Sequence, residues 1–222
     1  MKSNLSRSDR HALLLVDLQN DFVQGGSLAV TDGLAVVDVA NRLIPHFKLV
    51  IATQDWHPPN HLSFASQHVG LAIGARFELN GLLQTAWPDH CVQGTSGAEL
   101  ISRLNRGGVH HVVRKGTQRT IDSYSGFFDN GHLRSTGLVD TLRSERIEHV
   151  LLMGLATDYC VRFTALDAIS EGFHTTLIID GCRGVELQPG DIETALEEMK
   201  MAGVEMMQSD SLLAELGSSG QE

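Results

Sequence analysis

The 222-residue sequence predicts an α/β protein built on a central parallel sheet. Short runs rich in valine, isoleucine and leucine recur along the chain, and segments with helical spacing separate the later runs. Most of the runs are continuously apolar rather than alternating, which is typical of strands that are buried on both faces. Strands of this kind that alternate with helices form a parallel sheet covered on each face. The sequence therefore predicts a three-layer α/β/α fold.

The predicted elements follow in order along the chain. The first is a strand at residues 11–18, followed by a turn at residues 25–26 and a helix at residues 34–47 that ends near Pro45. Further strands are predicted at residues 48–53, 109–114, 148–154, 174–179 and 204–207, and further helices at residues 157–171 and 191–201. Residues 57–97 contain three prolines and five glycines, and a long irregular segment in a compact domain is usually functional.

The predicted domain covers residues 1–222, with a core at about residues 11–208 and a frayed tail after Leu213. The formal net charge is −10, so the average surface repels nucleic acid and anionic membranes. Three cysteines are too few, and odd in number, for a disulfide framework. The first ten residues are polar, and no apolar stretch approaches the ~18 residues of a membrane span. We therefore expect a cytoplasmic protein that binds neither nucleic acid nor membrane.

Ionisable and polar side chains follow four of the predicted strands. Because ligands of open α/β sheets bind beyond the carboxyl ends of the strands, these residues are candidates for one shared site. They are Asp17, Asn20 and Asp21 after the first strand, Asp55 and His57 after the second, Lys115 after the third, and Ala156, Asp158 and Cys160 after the fourth.

Cys160 is the candidate nucleophile. It stands in GLATDYC, where a strand ends and a helix begins. A helix N-terminus and a nearby lysine both favour the thiolate, so Lys115 could supply the positive charge and Asp17 could accept the proton. The alternative is a buried structural cysteine, which is the commoner fate of a lone cysteine.

The segment DWHPPNH and the later WPDHC supply a candidate metal site. They contain Asp55, His57, His61 and His90, and a carboxylate with imidazoles suits Zn²⁺, Fe²⁺ or Mn²⁺. The alternative is a set of solvated loop histidines, since the chain has 11 histidines in all. His110, His111 and His149 are expected on strand or helix surfaces.

Three aromatic residues adjoin these candidates, in a chain that is only 5% aromatic: Phe22, Trp87 and Tyr124. Two such rings could enclose a flat heteroaromatic ligand. Ordinary core packing is the alternative, and it is the expected role of Phe163 and Phe173.

Seven motifs occur in an order that resembles a known family. They are ALLLVDLQNDFVQGGSLAV, QDWHPPNHLSF, WPDHCVQGT, VRKGT, DSYSGFFDNG, GLATDYCV and DGCRGV, which span about residues 11–207. Together they resemble the nicotinamidase/pyrazinamidase branch of the isochorismatase-like hydrolases. DLQNDF alone marks only the superfamily, whereas the Asp-x-His-x-x-x-His segment combined with WPxHC is more specific. The resemblance implies the isochorismatase-like (Rossmann-like) hydrolase fold.

The resemblance also implies a role for each matching position. The implied catalytic triad is Asp17, Lys115 and Cys160, and the implied metal ligands are Asp55, His57, His61 and His90. The implied substrate-binding residues are Phe22 and Trp87 beside a pyridine ring, together with Tyr124 and Leu155. A non-proline cis peptide is implied at residues 155–156, with the N–H groups of Ala156 and Cys160 directed at the substrate oxygen. Tyr159 stands where some relatives carry histidine.

The implied activity is the hydrolysis of nicotinamide to nicotinate and ammonia through a cysteine thioester, in NAD salvage, with pyrazinamide as a further substrate. One divalent transition metal ion, zinc, iron or manganese, is the implied cofactor, and a homo-oligomer is left open. Three rivals remain: an amidohydrolase of carbamoyl or ureido compounds, isochorismatase itself, and a non-catalytic binding protein with the same fold. The histidine-rich loop disfavours the first, and the cysteine nucleophile disfavours the second. The intact set of Asp17, Lys115 and Cys160 disfavours the third.

Overall fold

A computed structural model describes residues 9–218 of the protein, so the predictions for residues 1–8 and 219–222 lie outside it. Its main sheet has six strands, all parallel, in the order β5-β2-β1-β6-β7-β8. The strands of this sheet are β1 (His11–Val16), β2 (Leu49–Asp55), β5 (His111–Lys115), β6 (His149–Leu155), β7 (His174–Arg183) and β8 (Glu205–Met207). The predicted parallel sheet is therefore confirmed, with strand ends shifted by a few residues.

Helices flank the sheet, as the predicted fold requires. They are α1 (Ala35–Leu43), α2 (Leu138–Ser144), α3 (Arg162–Ser170), α4 (Asp191–Met201) and α5 (Ser209–Ser218). Helix α1 packs on β6 and β7 and contacts α5, whereas α3 packs on β7 and contacts α4. No helix within residues 9–218 is both long and apolar enough to cross a membrane.

The apolar runs form the core because both faces of the sheet are covered. Every residue of β2 and β6 is buried, and β1 is buried except for the partly exposed His11. The chain leaves β1 towards β2 on one side of the sheet, whereas β6 lies on the other side of β1. Such a change of direction opens a crevice at the carboxyl ends of the two central strands. Here those strands are β1 and β6.

Three parts of the fold differ from the prediction. The irregular region contains an antiparallel hairpin of β3 (Arg76–Leu79) and β4 (Leu82–Thr85), and α2 was not predicted. The tail after Leu213 is not frayed through residue 218, because α5 continues to that point and buries Leu212 and Leu216. Helix α5 packs on α1 and β7, which are distant in sequence. The hairpin instead closes locally through the Asn80–Gly81 turn, a signal in the sequence that the prediction missed.

The amino ends of three neighbouring strands carry histidines in register. His11 of β1 pairs with His149 of β6, and His149 pairs with His174 of β7. The ring centroids of His11 and His149 lie 5.2 Å apart, and those of His149 and His174 lie 6.1 Å apart. His149 is buried, so its predicted surface position is wrong: its ring lies between those of His11 and His174, and its Nε2 atom lies 2.8 Å from Thr176 Oγ1.

Candidate active site

Lys115 lies at the centre of the candidate site. Its ammonium Nζ lies 2.9 Å from Asp17 Oδ2 and 2.6 Å from Asp55 Oδ1. It also donates to the carbonyl of Ser123 at 2.9 Å and to Cys160 Sγ at 3.3 Å. All of these atoms meet at the carboxyl edge of the sheet, because β5, β2, β1 and β6 are consecutive neighbours there. The arrangement places one fully buried cation against two carboxylates and a thiol.

Burial and charge set the protonation states of this cluster. Burial alone would lower the pKa of Lys115, but the charges of Asp17 and Asp55 outweigh it and hold that pKa well above its ordinary value. Burial raises the pKa of Asp17 and also that of the Cys160 thiol, with Lys115 opposing both shifts. Lys115 favours the thiolate, as expected from the sequence, but burial and the two carboxylates outweigh it, so the pKa of the Cys160 thiol stays raised. The thiol needs a neighbouring base.

Asp17 is placed to be that base. Thr53 donates its hydroxyl to Asp17 Oδ1 at 2.5 Å. The other oxygen, Oδ2, forms the ion pair with Lys115 but receives no well-directed hydrogen bond from any residue that the structure describes. Oxygens of Asp17 and Asp55 and the Sγ of Cys160 all lie within 4.8 Å of one another. One carboxylate oxygen is therefore available to accept a proton beside the thiol.

A cluster of metal-ligating side chains adjoins Asp55. Oδ2 of Asp55 lies 3.6 Å from His57 Nε2 and 3.8 Å from His90 Nε2, and all three residues are buried. The Nδ1 atom of His57 contacts the Gly116 carbonyl at 2.9 Å, and that of His90 contacts the Pro88 carbonyl at 2.8 Å. Outer hydrogen bonds of this kind orient histidine ligands and leave the Nε2 atoms for a metal ion. The donor set fits a divalent transition metal.

His61 is placed differently from the other predicted ligands. Its ring lies 4.4 Å from that of His57, but its Nε2 atom lies 3.2 Å from the carbonyl of Ile121. It groups with His57 and the buried carboxylate of Asp122, whereas Asp55 and His90 form the other group around His57. The structure thus brings three predicted ligands together and places the fourth beside them with a different partner.

The local sequence motifs build the backbone around these side chains. In DLQNDF, the Gln19 side chain donates to the Asp55 carbonyl and accepts from the Asp55 N–H, both at 2.8 Å. Asp21 accepts the backbone N–H of Cys91 at 2.7 Å, which holds the loop that carries His90. Gly116 has φ +63, and a Cβ there would lie 2.3 Å from the His57 ring. These contacts explain why the DLQNDF motif occurs together with motifs from distant segments: its side chains hold the backbone of those segments in place.

A pocket opens beside Cys160 and the metal-ligating cluster. Its lining combines aromatic rings with the polar groups described above: Phe22, Leu28, Asp55, Trp87, His90, Asp122, Tyr124, Ala156, Tyr159, Cys160 and Val185. The Tyr124 hydroxyl accepts hydrogen bonds from Trp87 Nε1 at 3.0 Å and from Gln84 Nε2 at 2.8 Å, which fixes two of the rings. The pocket is suited to a flat ring with a polar substituent.

The family model described as Isochorismatase domain matches residues 11–211. The chain belongs to the isochorismatase family. This confirms the resemblance seen in the motifs, and the match covers every strand and every residue of the site. The family fold also agrees with the observed parallel sheet flanked by helices.

Individual members of the isochorismatase family are similar over most of the chain. A nicotinamidase of Escherichia coli (strain K12) is 54% identical over 196 residues, which is 86% of this chain and 92% of that one. The structure of an Acinetobacter baumanii nicotinamidase pyrazinamidease superimposes with a TM-score of 0.90 at 43% identity and covers 92% and 99% of the two chains. A Pyrococcus horikoshii pyrazinamidase in complex with zinc gives a TM-score of 0.74 at 38% identity, covering 90% and 99%.

The predicted site residues of this isochorismatase-family chain largely converge. The three catalytic candidates are in mutual contact, and Phe22, Trp87, Tyr124 and Ala156 line the pocket. The peptide bond between Leu155 and Ala156 is cis, as the resemblance implied. Leu155 itself is fully buried at the end of β6 and does not line the pocket. Its side chain packs in the core instead.

Sequence reasoning missed two prominent residues of the pocket. Asp122 lies in the loop after β5, accepts a hydrogen bond from Gln84 at 2.9 Å and faces His57 and His61. It is the first residue of the DSYSG segment, and its acidic side chain was the available signal. Tyr159 has no role among those implied by the resemblance, yet its ring lies 4.8 Å from that of Trp87 and lines the pocket. Its position next to Cys160 was the signal.

Proposed function

We propose that this protein is a nicotinamide amidohydrolase, which converts nicotinamide to nicotinate and ammonia. The observation that carries the proposal is the contact of the Cys160 thiol with Lys115, beside Asp17, in a pocket with aromatic walls. The 54% identity to a nicotinamidase supports the same substrate. The likeness to the Acinetobacter nicotinamidase pyrazinamidease supports pyrazinamide as a second substrate.

The first chemical step transfers the Cys160 proton to Asp17 as sulfur attacks the carboxamide carbon. Lys115 stabilises the anionic pair throughout, since its Nζ contacts both Asp17 and Cys160. The resulting oxyanion is assigned to the backbone N–H groups of Ala156 and Cys160, and losing one such donor typically costs about 2.7–4 kcal/mol. A thiol with a raised pKa makes a proton acceptor necessary at this step.

The next steps release the two products. The C–N bond breaks as Asp17 returns its proton to the leaving nitrogen, so ammonia departs and a thioester to Cys160 remains. A water molecule then gives a proton to Asp17 and attacks the thioester carbon. When the C–S bond breaks, Asp17 returns its proton to the thiolate, and nicotinic acid leaves and ionises to nicotinate. Asp17 thus accepts a proton in each addition step and donates it in the elimination step that follows.

The metal ligands in this proposal are Asp55, His57 and His90, with His61 as the fourth donor. A bound zinc, iron or manganese ion would supply a Lewis acid able to orient the pyridine nitrogen or a water molecule. Asp55 links the two halves of the site, because one of its oxygens contacts Lys115 and the other faces the two histidines. Phe22, Trp87 and Tyr124 enclose the ring.

The proposal extends to where the protein works. Three free, buried cysteines suit a reducing compartment, so we place the enzyme in the cytoplasm, where it would serve NAD salvage. All of the site residues named above come from one chain, so the proposed activity requires no partner chain and is the same in a homo-oligomer.

The test is ammonia release by the purified protein, with nicotinamide, pyrazinamide and a carbamoyl compound as separate substrates. We expect release from the two pyridine-type amides only. Cys160→Ala should abolish turnover while circular dichroism and metal content stay unchanged. The matched control is Cys182→Ala, which alters a buried cysteine of β7 and should retain most activity. Turnover of Cys160→Ala within about tenfold of the wild type would refute Cys160 as the nucleophile. A tenfold change corresponds to only about 1.36 kcal/mol of barrier, which is too little for the loss of the attacking group.

A further inference from the structure

A second, larger cavity lies next to the pocket at Cys160. Its volume is about 330 Å³, and its lining includes Arg76, Arg162, Leu187, Asp191 and Thr194. The inner pocket is much smaller, at about 20 Å³. The inner pocket is therefore too tight to take a substituent on the ring while its walls stay in place.

Tyr159 is the side chain that lines both spaces. On the inner side its ring packs edge-on against Trp87 at 4.8 Å and against Tyr124 at 5.4 Å. On the outer side it faces the β3–β4 hairpin, where it forms a side-chain hydrogen bond with Thr85. Burial raises the pKa of Tyr159, whereas this hydrogen bond and the charge of Arg76 oppose the rise. Arg76 and Thr85 are themselves cross-strand partners, joined by a hydrogen bond of 3.3 Å. Tyr159 therefore separates the two spaces and is held from the hairpin side.

We propose that Tyr159 is a specificity-determining wall of the substrate pocket, and that the outer cavity is a subsite for substituents on the ring of pyridine carboxamides. This inference rests on the proposed function. With the tyrosine in place, the ring of the substrate is confined to the inner pocket. With a smaller side chain, a substituent on the ring reaches the outer cavity.

The lining of the outer cavity favours substituents that carry a hydrogen-bond acceptor. Arg76 and Arg162 line the cavity, and each guanidinium carries five N–H donors. One donor of Arg76 is used on Thr85 at 3.3 Å, and one of Arg162 on Glu198 at 3.1 Å. The two acidic groups are already engaged: Asp158 accepts the N–H groups of Val185 and Glu186, and Asp191 accepts that of Gln188. An ether or carbonyl oxygen therefore suits this cavity better than a hydrocarbon group of the same size.

The experiment compares nicotinamide with nicotinamides that carry a methoxy or an ethyl group at carbon 5 or carbon 6. For each variant the measured quantity is kcat/KM for the substituted amide divided by that for nicotinamide. Tyr159→Ala and Tyr159→Leu should raise this ratio about tenfold or more for at least one ring position, as relief of a steric wall does, and more for methoxy than for ethyl. Tyr159→Phe keeps the ring and should stay close to the wild-type ratio.

A matched variant tests the outer cavity itself. Thr194→Trp places a bulky side chain in the cavity, far from Cys160 in the chain, and should return the ratio of Tyr159→Ala towards the wild-type value. Calorimetric binding of the substituted amides to Cys160→Ala and to the double variant with Tyr159→Ala gives a readout that is independent of turnover.

Two results would overturn the inference while leaving the proposed function intact. One is an unchanged ratio and unchanged binding in folded Tyr159→Ala and Tyr159→Leu that still hydrolyse nicotinamide. The other is a raised ratio that Thr194→Trp does not reduce. Absence of nicotinamide hydrolysis in the wild-type protein would instead contradict the proposed function.

Discussion

Lys115 illustrates how the site is balanced at the level of single residues. An ammonium without exposure to water is costly unless charges of the opposite sign surround it. Asp17 and Asp55 supply those charges, and the Ser123 carbonyl accepts a hydrogen bond from the same ammonium. The same contacts put the cation against the Cys160 sulfur. A group needed to neutralise buried carboxylates is thereby also placed to stabilise developing negative charge.

Lys115→Met should reduce kcat/KM for nicotinamide about a thousandfold, because transition-state charge then lacks its counter-ion. The variant should also lose roughly 3 kcal/mol of stability, since removing one partner of a buried ion pair leaves carboxylates unpaired. Steady-state kinetics and urea unfolding measure the two effects separately. Lys48→Met, which alters an exposed lysine, is the control. A folded Lys115→Met enzyme with normal turnover would show that the triad is misassigned.

At the level of elements, the site is assembled by segments that hold one another. Gln19 and Asp21 follow β1, and they bind the backbone of Asp55 at the end of β2 and of Cys91 in the WPDHC loop. Gly116, directly after β5, gives the His57 ring room. The candidate metal ligands and the candidate catalytic residues therefore share Asp55 and the same supporting backbone. Metal binding and recognition of the ring should be coupled.

Removal of the metal should therefore change which amides the enzyme prefers. Nicotinamide and pyrazinamide carry a ring nitrogen at the same position relative to the carboxamide, whereas benzamide has none. We expect benzamide to be a poor substrate of the loaded enzyme, although Phe22 and Trp87 could stack on it equally well. Chelation or His57→Ala should depress nicotinamide hydrolysis strongly and reduce its advantage over benzamide. Values of kcat/KM for both amides, before and after stripping, measure this, and an unchanged ratio in folded protein would contradict it.

At the level of the whole molecule, the two ends of the sheet carry different clusters of ionisable side chains. The carboxyl ends of the strands carry the catalytic cluster, and the amino ends of β1, β6 and β7 carry His11, His149 and His174. Burial, reinforced by the charges of His11 and His174, lowers the pKa of His149 from 6.5 to about 4. Glu148 is the acidic neighbour of this row and pairs with Arg10.

His149 should make the folded protein less stable in mild acid. The unfolded chain takes up a proton on this histidine near pH 6.5, whereas the folded protein resists it down to about pH 4. This histidine therefore leaves the free energy of unfolding unchanged above pH 6.5. Between pH 6.5 and pH 4 it lowers that free energy by about 2–3 kcal/mol. Urea unfolding from pH 7.5 to 4 should show a shallower decline in His149→Gln than in the wild type, with His46→Gln as the control at an exposed position. Parallel curves for His149→Gln and the wild type would exclude this role.

The sequence by itself determined the central sheet and most of the site. Continuous apolar runs can be buried only between two layers, so the parallel strands and the residues at their carboxyl ends could be predicted from local patterns. The motifs fixed Asp17, Lys115, Cys160 and the ligands around Asp55 as one set. Nothing in these predictions required knowledge of how distant loops pack.

The tertiary structure decided the features that arise between distant segments. Helix α5 packs on α1 and β7. In the pocket, Asp122 meets Gln84 and Tyr159 meets Trp87, both from a distant segment of the chain. The protonation state of Cys160 was also decided there. A helix terminus and a lysine can be identified in the sequence, but burial and the two carboxylates that keep the thiol protonated exist only in the folded protein, where desolvation outweighs a single favourable charge.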